Sequence, residues 1–177
     1  MDREIVNTFK YIREINELLK SDGLFLVSEG KNNKPNVMTI GWGLLGTMWS
    51  RPVFVVAVRH SRHTYRLMEE SKSWTVCVPA KGMAAALEFC GTNSGRDVDK
   101  FKEMKFTVKK GVAVDAPYID ECPIHFECKT VFKTDMVPGQ LEAGIEKETY
   151  KTRDFHMIYL GEVHGVYAVK DVKKKLP

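Results

Sequence analysis

The segment Arg59-His60-Ser61-Arg62-His63-Thr64 brings guanidinium, imidazole and hydroxyl groups together at consecutive positions. It follows the apolar run Val53 to Val58 and precedes a stretch of helical character, so we expect it to join a strand to a helix N-terminus. Unpaired backbone N–H groups and the positive end of the helix dipole meet at such a junction, and arginines with hydroxyl groups suit a phosphate dianion. The segment therefore predicts an anion site, although its residue types are also compatible with a solvated basic loop.

Two other clusters combine polar side chains with glycine. In the segment Asn36 to Trp42, Gly41 allows the backbone to approach a flat ligand closely, and Asn36 and Thr39 can supply hydrogen-bond donors. The same residues are compatible with a twisted strand whose tryptophan packs in the core. The third cluster, Cys90 to Phe101, combines a helix C-cap, a flexible turn and a second helix start, which can also be a purely structural arrangement.

The four cysteines form no metal or redox motif, because none of the gaps between them has the two-residue spacing of zinc knuckles or thioredoxin-like sites. We therefore predict no metal site. Cys77 lies in an apolar, strand-like run and is expected to be a buried, inert thiol. Cys90 precedes a glycine-rich turn, so it can either lie near a functional site or simply pack in the core.

The chain that must position these clusters begins with a helical pattern. Apolar residues recur at helical spacing at Ile5, Phe9, Ile12, Ile15 and Leu19. This stripe predicts an amphipathic helix from Glu4 to Lys20, ended by Ser21-Asp22-Gly23. We accordingly predict an N-terminal helical segment over residues 1–22 and a single folded domain over residues 23–177. The helix is expected either to cover the barrel of its own chain or to take part in a dimer.

Strand-like segments dominate the rest of the chain. They are Leu24 to Val27, Val37 to Trp49, Val53 to Val58, Trp74 to Val78, Ile124 to Thr134 and Phe155 to Val169. The run Val53 to Val58 does not alternate, which suggests burial on both faces, and the glycines at positions 161 and 165 predict bends or bulges.

Short helices are expected between these strands. Their predicted bounds are Tyr65 to Ser71 with Thr64 as N-cap, Met83 to Phe89, and Asp97 to Met104 with Ser94 or Asp97 as N-cap. This order of elements favours a mainly β protein, built as a small barrel with helical insertions.

Composition limits the classes of function. With 177 residues, 44% of them apolar, the chain is long enough for one self-sufficient core. Its longest apolar run falls far short of the roughly 20 residues that span a bilayer, so we expect a cytoplasmic protein with no membrane partner. The net charge of +4 is small and acids are interleaved with bases, which argues against a nucleic-acid partner.

Three motifs follow one another in a characteristic order. They are Asn-x-Met-Thr-x-x-Trp from Asn36, Arg-Pro-Val with the apolar strand leading into Arg-His-Ser-Arg-His-Thr, and Ser-Gly-Arg-Asp-Val-Asp-Lys-Phe from Ser94. With Leu160-Gly161-Glu162-Val163 on a late strand, they resemble the flavin reductase-like family of FMN-binding split barrels, and most closely its flavoredoxin branch. The resemblance covers about Gly23 to Val169 and implies a six-stranded Greek-key barrel, noncovalently bound FMN and a homodimer whose interface completes the flavin pocket.

The resemblance also implies roles for individual residues. The segment from Asn36 would line the isoalloxazine ring and the segment from Arg59 would hold the phosphate. Lys100 would lie near the ring or the ribityl chain, where a cation raises the reduction potential, and His156 would lie near the flavin unless it packs in the core or an interface. The implied cofactor-binding residues are Asn36, Val37, Met38, Thr39, Trp42, Arg59, His60, Ser61, Arg62, Thr64, Ser94, Gly95, Lys100 and His156.

The implied function is that of a flavoprotein oxidoreductase. FMN would accept a hydride from NAD(P)H or electrons from a redox partner and pass them to free flavin, a ferric complex or an electron-transfer protein. No catalytic acid, base or nucleophile is expected, because the flavin carries the chemistry. No separate dinucleotide domain is expected, so NADH or NADPH would dock directly over the flavin. Two alternatives stay open: an FMN-containing electron carrier without NAD(P)H activity, and a nucleic-acid-binding barrel.

Overall fold

The computed structural model describes residues 2–177. Its helices are α1 (Ile12–Lys20), α2 (His63–Glu70), α3 (Ala84–Thr92), α4 (Lys100–Glu103), α5 (Ala143–Thr149) and α6 (Val172–Lys175). Its strands are β1 (Arg3–Ile5), β2 (Leu24–Glu29), β3 (Pro35–Ile40), β4 (Gly43–Met48), β5 (Arg51–Arg59), β6 (Ser73–Val78), β7 (Val108–Lys109), β8 (Tyr118–Ile119), β9 (Ile124–Asp135) and β10 (His156–Val169). No helix within residues 2–177 is both long enough and apolar enough to cross a membrane.

One antiparallel sheet forms the framework, with the strand order β3-β2-β6-β9-β10-β5-β4. β1 pairs with the end of β10 that β5 leaves free, and β7 and β8 form a separate ribbon. The two end strands, β3 and β4, follow each other in the chain but are not paired with each other in the described sheet, so the barrel is split there. The predicted mainly β split barrel is confirmed. Its sheet has eight strands where the resemblance implied six, and one of the eight is the three-residue strand β1.

The larger core cluster lies on the inner face of this sheet, and a second cluster, which includes Phe25 and Cys77, packs on the opposite face of β2 and β6 against α3 and α4. Phe54, Val56 and Val58 of β5 point inward and are fully buried, whereas Val55 and Ala57 between them are only half-buried. The prediction that this strand is buried on both faces is therefore wrong for part of its length. The cause is the antiparallel sheet, which packs one face of β5 against the core and leaves the other partly uncovered.

Two irregularities bend β10, so that one strand can pair with three others. The register shifts occur between Leu160 and Gly161 and between Val163 and Gly165, which confirms the bulges predicted at these glycines. A Cβ at Gly161 would lie 2.3 Å from the ring of Trp74, so a larger side chain there would collide with the indole. The bulge thus serves close packing as well as curvature.

The N-terminal segment differs from the prediction. Its first residues form β1 and α1 begins only at Ile12, so the predicted helix from Glu4 to Lys20 is wrong in its first half. The strand is favoured because its backbone pairs with β10 and because Arg3 donates to the carbonyl oxygens of Asp120 and Cys122, at 2.8 Å each. Helical periodicity alone could not reveal these distant partners.

Two helix caps also differ from the prediction. Arg62 stands at the N-cap of α2, and the predicted cap Thr64 lies inside the helix. Asp99, rather than Ser94 or Asp97, caps α4 through a hydrogen bond from a first-turn backbone amide at 3.2 Å. Contacts with the rest of the protein decide where these helices begin.

Candidate functional site

A cleft of about 100 Å³ opens where the N-terminus of α2 meets β3 and the loop between α3 and α4. Its lining residues are Asn36, Met38, Ser61, Arg62, His63, Thr64, Cys90, Asn93, Ser94, Gly95, Arg96 and Lys100. All three sequence clusters contribute, and the lining contains three cations and no carboxylate. The cleft is therefore positively charged, and its size suits a phosphate group rather than a whole nucleotide.

Asn36 connects β3 to α2 at the wall of the cleft. Its Nδ2 donates a hydrogen bond to the hydroxyl of Thr64 at 2.8 Å, and both side chains are buried. Gly95 packs against Asn36 so closely that a Cβ at this position would lie 2.0 Å from the Asn36 Oδ1. The position of the Asn36 side chain is therefore fixed by its hydrogen bond to Thr64 and by the lack of a side chain at Gly95.

The cations of the cleft are oriented by backbone carbonyl oxygens. Arg62 and Lys100 donate to carbonyl oxygens in the last turn of α3, at 3.3 and 2.7 Å, and Arg96 donates to the carbonyl of Ser61 at 2.9 Å. Lys100 is buried, and its burial lowers the pKa of the ammonium group, as does the neighbouring Arg62. Because carbonyl groups do not neutralise these charges, the charges are available to an anionic ligand.

His63 lines the cleft although the sequence did not single it out. It is the first residue of α2, and its Nδ1 is buried without a hydrogen-bond partner. Burial, together with nearby cations, lowers the pKa of the imidazole. An unpaired ring nitrogen in a cationic cleft is a polar group that a bound ligand can satisfy. In the sequence, the position of His63 between Arg62 and Thr64 is the one feature that points to the site. The structure adds that α2 begins at His63, so that His63 and not His60 lines the cleft.

β3 turns only some of its predicted residues towards the cleft. Met38 lines the cleft, whereas the Val37 side chain is fully buried in the core. The Thr39 hydroxyl donates to the carbonyl oxygen of Leu87 at 2.6 Å and is thus used within the protein. Since β3 is an end strand of the sheet, its outer backbone groups pair with no other strand within residues 2–177 and can contact a ligand.

Trp42 and His156 lie outside the cleft, beside the β9–β10 connector, which we define as residues 136–155. The Trp42 and His156 rings are 4.5 Å apart, and the Tyr150 hydroxyl of the connector is 2.7 Å from the His156 Nδ1. Burial lowers the pKa of His156 to about 4, with Arg59 adding to the effect. The imidazole is therefore neutral near pH 7, and the Trp42 side chain, 45% exposed, presents an aromatic surface next to it.

Arg59 and His60 also contact the connector or its flanks. Arg59 extends over the ring of Tyr150 at 5.3 Å and donates to the carbonyl oxygens of Thr149 and Asp154, at 3.3 and 2.7 Å. The Nε2 of His60 lies 2.8 Å from a carboxylate oxygen of Asp135 at the end of β9. These two residues of the basic loop thus hold the connector in place.

The carboxylate of Asp154 occupies the hydrogen-bond donors of Ser61. The Ser61 hydroxyl donates to Oδ2 at 2.6 Å and the Ser61 backbone N–H donates to Oδ1 at 3.3 Å, while the Arg59 Nη1 lies 4.0 Å from Oδ2. Arg59 and Ser61 therefore bind an acid of the same chain, in the loop where the resemblance implied that they bind a phosphate.

Gly41, Gly43 and Gly46 have the spacing of a dinucleotide-binding glycine motif. Such a motif requires a strand followed by a helix that begins at the phosphate. Here the first of these glycines lies in the connection between β3 and β4, and the other two lie within β4, so a strand and no helix follows. The segment therefore lacks the geometry of that motif.

The cysteines are all buried and unpaired. Cys90 lines the cleft, and its burial raises the pKa of the thiol to about 11, so the thiol is protonated near pH 7. Cys77 is fully buried in the core, as the sequence predicted. Within residues 2–177 there is no group of His, Cys, Asp and Glu side chains that could hold a metal ion.

Comparison with known proteins identifies the family. Residues 21–176 match the family model described as flavin reductase like domain, so the chain belongs to the flavin reductase-like family. A protein of Archaeoglobus fulgidus is 30% identical to it over 131 residues, which span 74% of this chain and 69% of that protein.

Solved structures with the same fold include two flavoredoxins. The flavoredoxin from Methanosarcina acetivorans is 27% identical, with a TM-score of 0.67, over 84% of this chain and 68% of that chain. The flavoredoxin of Desulfovibrio vulgaris (Miyazaki F) is 24% identical, with a TM-score of 0.67, over 88% of this chain and 74% of that chain. The family and the flavoredoxin likeness predicted from the sequence are confirmed, and the chain has the FMN-binding split-barrel fold.

The residues present fit the phosphate end of FMN. The cleft offers three cations without a competing acid, the N-terminus of α2 and an unpaired buried nitrogen on His63. Each of these suits a dianion. The exposed indole of Trp42, which lies outside the cleft against His156, offers a surface for a flat ring.

Proposed function

We propose that the chain binds FMN noncovalently and acts as an oxidoreductase, taking up reducing equivalents on the flavin and passing them to an acceptor. The acid-free cationic cleft, built from all three sequence clusters, carries this proposal. A phosphate dianion is the group that such a cleft binds best.

FMN would supply the redox chemistry, and the protein would supply binding and orientation. Arg62, Arg96 and the first amides of α2 bind the phosphate, and Asn36 and Gly95 fix the wall beside it. Lys100 places a positive charge near the cofactor, which favours the anionic reduced flavin and raises its reduction potential. Neutral His156 and Trp42 form an uncharged surface next to the ring.

The electron donor is NAD(P)H or a redox partner protein, and the acceptor is free flavin, a ferric complex or an electron-transfer protein. Because no helix follows the glycine-rich segment, that segment cannot form a separate dinucleotide site, and NAD(P)H would contact the flavin directly. The lack of a separate nucleotide site also supports the second candidate, an FMN-containing electron carrier without NAD(P)H activity.

FMN binding is tested by titrating purified apoprotein with FMN and following flavin fluorescence and the melting temperature. We expect fluorescence quenching and a raised Tm in the wild type, and a Kd at least tenfold higher in the double variant Arg62→Ala/Arg96→Ala. Arg13→Ala, which removes an exposed arginine of α1, is the matched control and should bind as the wild type does. A wild type that neither quenches FMN nor gains Tm would refute the proposal.

Anaerobic mixing of the FMN-loaded protein with NADH or NADPH separates the two candidates. Bleaching of the flavin absorbance by either nucleotide identifies a reductase and its donor. Absence of bleaching with both nucleotides, in a protein that dithionite does reduce, identifies a carrier supplied by a protein partner.

We further propose a cytoplasmic homodimer that requires no nucleic-acid or membrane partner. The support is an apolar row on the outer sheet face, where Phe132, Leu160, Val55 and Leu44 are register neighbours across β9, β10, β5 and β4. Leu44 is 65% exposed and Phe132 49% exposed. Trp49, at the tip of the β4–β5 hairpin, extends this surface towards Phe132, with ring centroids 6.5 Å apart. An exposed apolar patch of this kind is typical of a self-complementary interface.

A further inference from the structure

Asp154 holds a position in the basic loop that an external anion could otherwise take. Its two carboxylate oxygens accept the hydroxyl and the backbone N–H of Ser61, and the guanidinium of Arg59 lies 4.0 Å away. A neutral hydroxyl, an amide and a guanidinium are the donors that phosphate oxygens use in proteins. The loop therefore contains two adjacent anion positions, the open cleft and the position that Asp154 fills.

Ser61 forms the boundary between these two positions. It lines the cleft, and its carbonyl oxygen accepts from Arg96 of the cleft, while its hydroxyl and N–H face Asp154. The two phosphates of a diphosphate are joined through a single oxygen atom. The second phosphate of a diphosphate bound in the cleft would therefore be placed at or beside this boundary.

Asp154 is well anchored and is not at the tip of a loose loop. It lies two positions before the start of β10, and its carbonyl oxygen accepts from Arg59 at 2.7 Å. The nearby Tyr150 is 3% exposed and stacks on Phe155 with ring centroids 4.5 Å apart. The carboxylate is therefore expected to remain in place when a ligand enters the cleft.

We propose that Asp154 is a specificity-determining residue that limits the basic loop to a single phosphate, so that the site takes a phosphate monoester and rejects a diphosphate. This inference rests on the proposed function. It specifies that the site binds FMN, which has one phosphate, in preference to FAD, which has two. The fixed carboxylate removes the donors that a second phosphate would need and repels its charge, which is discrimination by an unfavourable contact with the wrong ligand.

The test compares Asp154→Asn with the wild type, using FMN and FAD as direct ligands and inorganic phosphate and pyrophosphate as competitors of FMN. Asparagine has nearly the same shape, and its single amide oxygen can still accept one of the two hydrogen bonds from Ser61, so the fold is retained while the other Ser61 donor is freed. We expect the ratio of the FAD Kd to the FMN Kd to fall at least tenfold, and pyrophosphate to gain more than phosphate as a competitor. Asp135→Asn removes the same charge next to His60 and should leave the ratio unchanged.

The double variant Asp154→Asn/Ser61→Ala separates a local effect from a general change in charge. If the freed donors of Ser61 bind the second phosphate, the gain for FAD is lost in the double variant. Asp154→Ser, which removes the carboxylate altogether, provides a second measurement of the same gain if the asparagine variant is unstable.

Three results would overturn the inference. They are an unchanged FAD-to-FMN ratio in Asp154→Asn, an equal gain in Asp135→Asn, and loss of hydrogen-exchange protection of the connector when FMN binds the wild type, which would show that Asp154 is displaced. A wild type that does not bind FMN at all refutes the proposed function. A wild type that binds FMN while the Asp154 variants leave the ratio unchanged refutes only this inference.

Discussion

The imidazole of His156 packs against the Trp42 ring and the Tyr150 hydroxyl, and its burial, with the nearby Arg59 guanidinium, disfavours a charged ring. Its pKa is lowered to about 4, below the usual value for an unfolded chain of about 6.5. Between these values the unfolded state binds more protons than the folded state, so stability is lost as the pH falls from about 6.5 to about 4.

We predict that this residue accounts for about 2–3 kcal/mol of lost stability over that range, because each unit of pKa shift is equivalent to about 1.4 kcal/mol. The measurement is denaturant unfolding at pH 7 and pH 4.5 for the wild type and His156→Gln. The variant should show a smaller pH dependence. His164→Gln, which changes an exposed histidine of the same strand, is the control, and an equal effect of the two variants would contradict the assignment.

Gly95 forms part of the wall of the cleft, where a single added methyl group would meet its neighbours. In Gly95→Ala the new Cβ would stand 2.0 Å from the Asn36 Oδ1 and 3.0 Å from a ring carbon of His63, so these side chains must move. We expect a loss of about 1–3 kcal/mol in stability and at least a tenfold weaker binding of FMN. Thermal unfolding and FMN titration measure the two effects, and unchanged FMN affinity would remove Gly95 from the site.

The bulge in β10 can be tested by filling the space beside Trp74. Gly161→Ala places a methyl group 2.3 Å from the indole, and we expect a loss of about 2–3 kcal/mol from overpacking. Gly46→Ala is the matched control, because a Cβ there meets nothing within 4 Å. Urea unfolding of both variants measures the difference, and equal midpoints would show that β10 can shift away from the indole.

Elements whose pattern is local were predictable from the sequence. The strands from Leu24, Val53 and Trp74 were predicted within a few residues, and so were the two bulges of β10, because β-branched runs and strand glycines carry their own signal. The sequence did not reveal β1 or α5. β1 forms because its backbone pairs with β10, which is distant in the sequence. α5 buries no side chain, so its sequence lacks the apolar periodicity that marks a packed helix.

The residues of the candidate site also differ in whether a local sequence motif marks them. The cleft residues were predictable because they belong to segments with recognisable motifs, and the N-terminus of α2 explains why these motifs meet. Asp154 was not predictable, since its hydrogen bonds to Ser61 join positions 93 residues apart in the chain. Tyr150, which touches His156 and Arg59, lies in a connector with no motif.

The apolar row on the outer sheet face has exposed ends, Leu44 and Phe132, which a monomer would leave in water. We predict that Leu44→Asp converts the proposed homodimer into monomers, because it places a charge at the most exposed position of that row, on the end strand β4. Light scattering at several protein concentrations measures the mass. Val112→Asp changes an equally exposed apolar residue elsewhere, 72% exposed, and should leave the mass unchanged. A wild type that is monomeric at every concentration would contradict the dimer.

The central position of β10 has a consequence for how the chain folds. β10 lies between β9 and β5 in the sheet, yet it follows all the other strands in the sequence, so the β4–β5 hairpin has no partner until β10 has been synthesised. Such long-range pairing slows folding, because the loop-closure entropy must be overcome before the contacts form. We expect ribosome-bound chains that end before residue 156 to remain open to protease, and chains that expose β10 beyond the exit tunnel to become resistant in a single step.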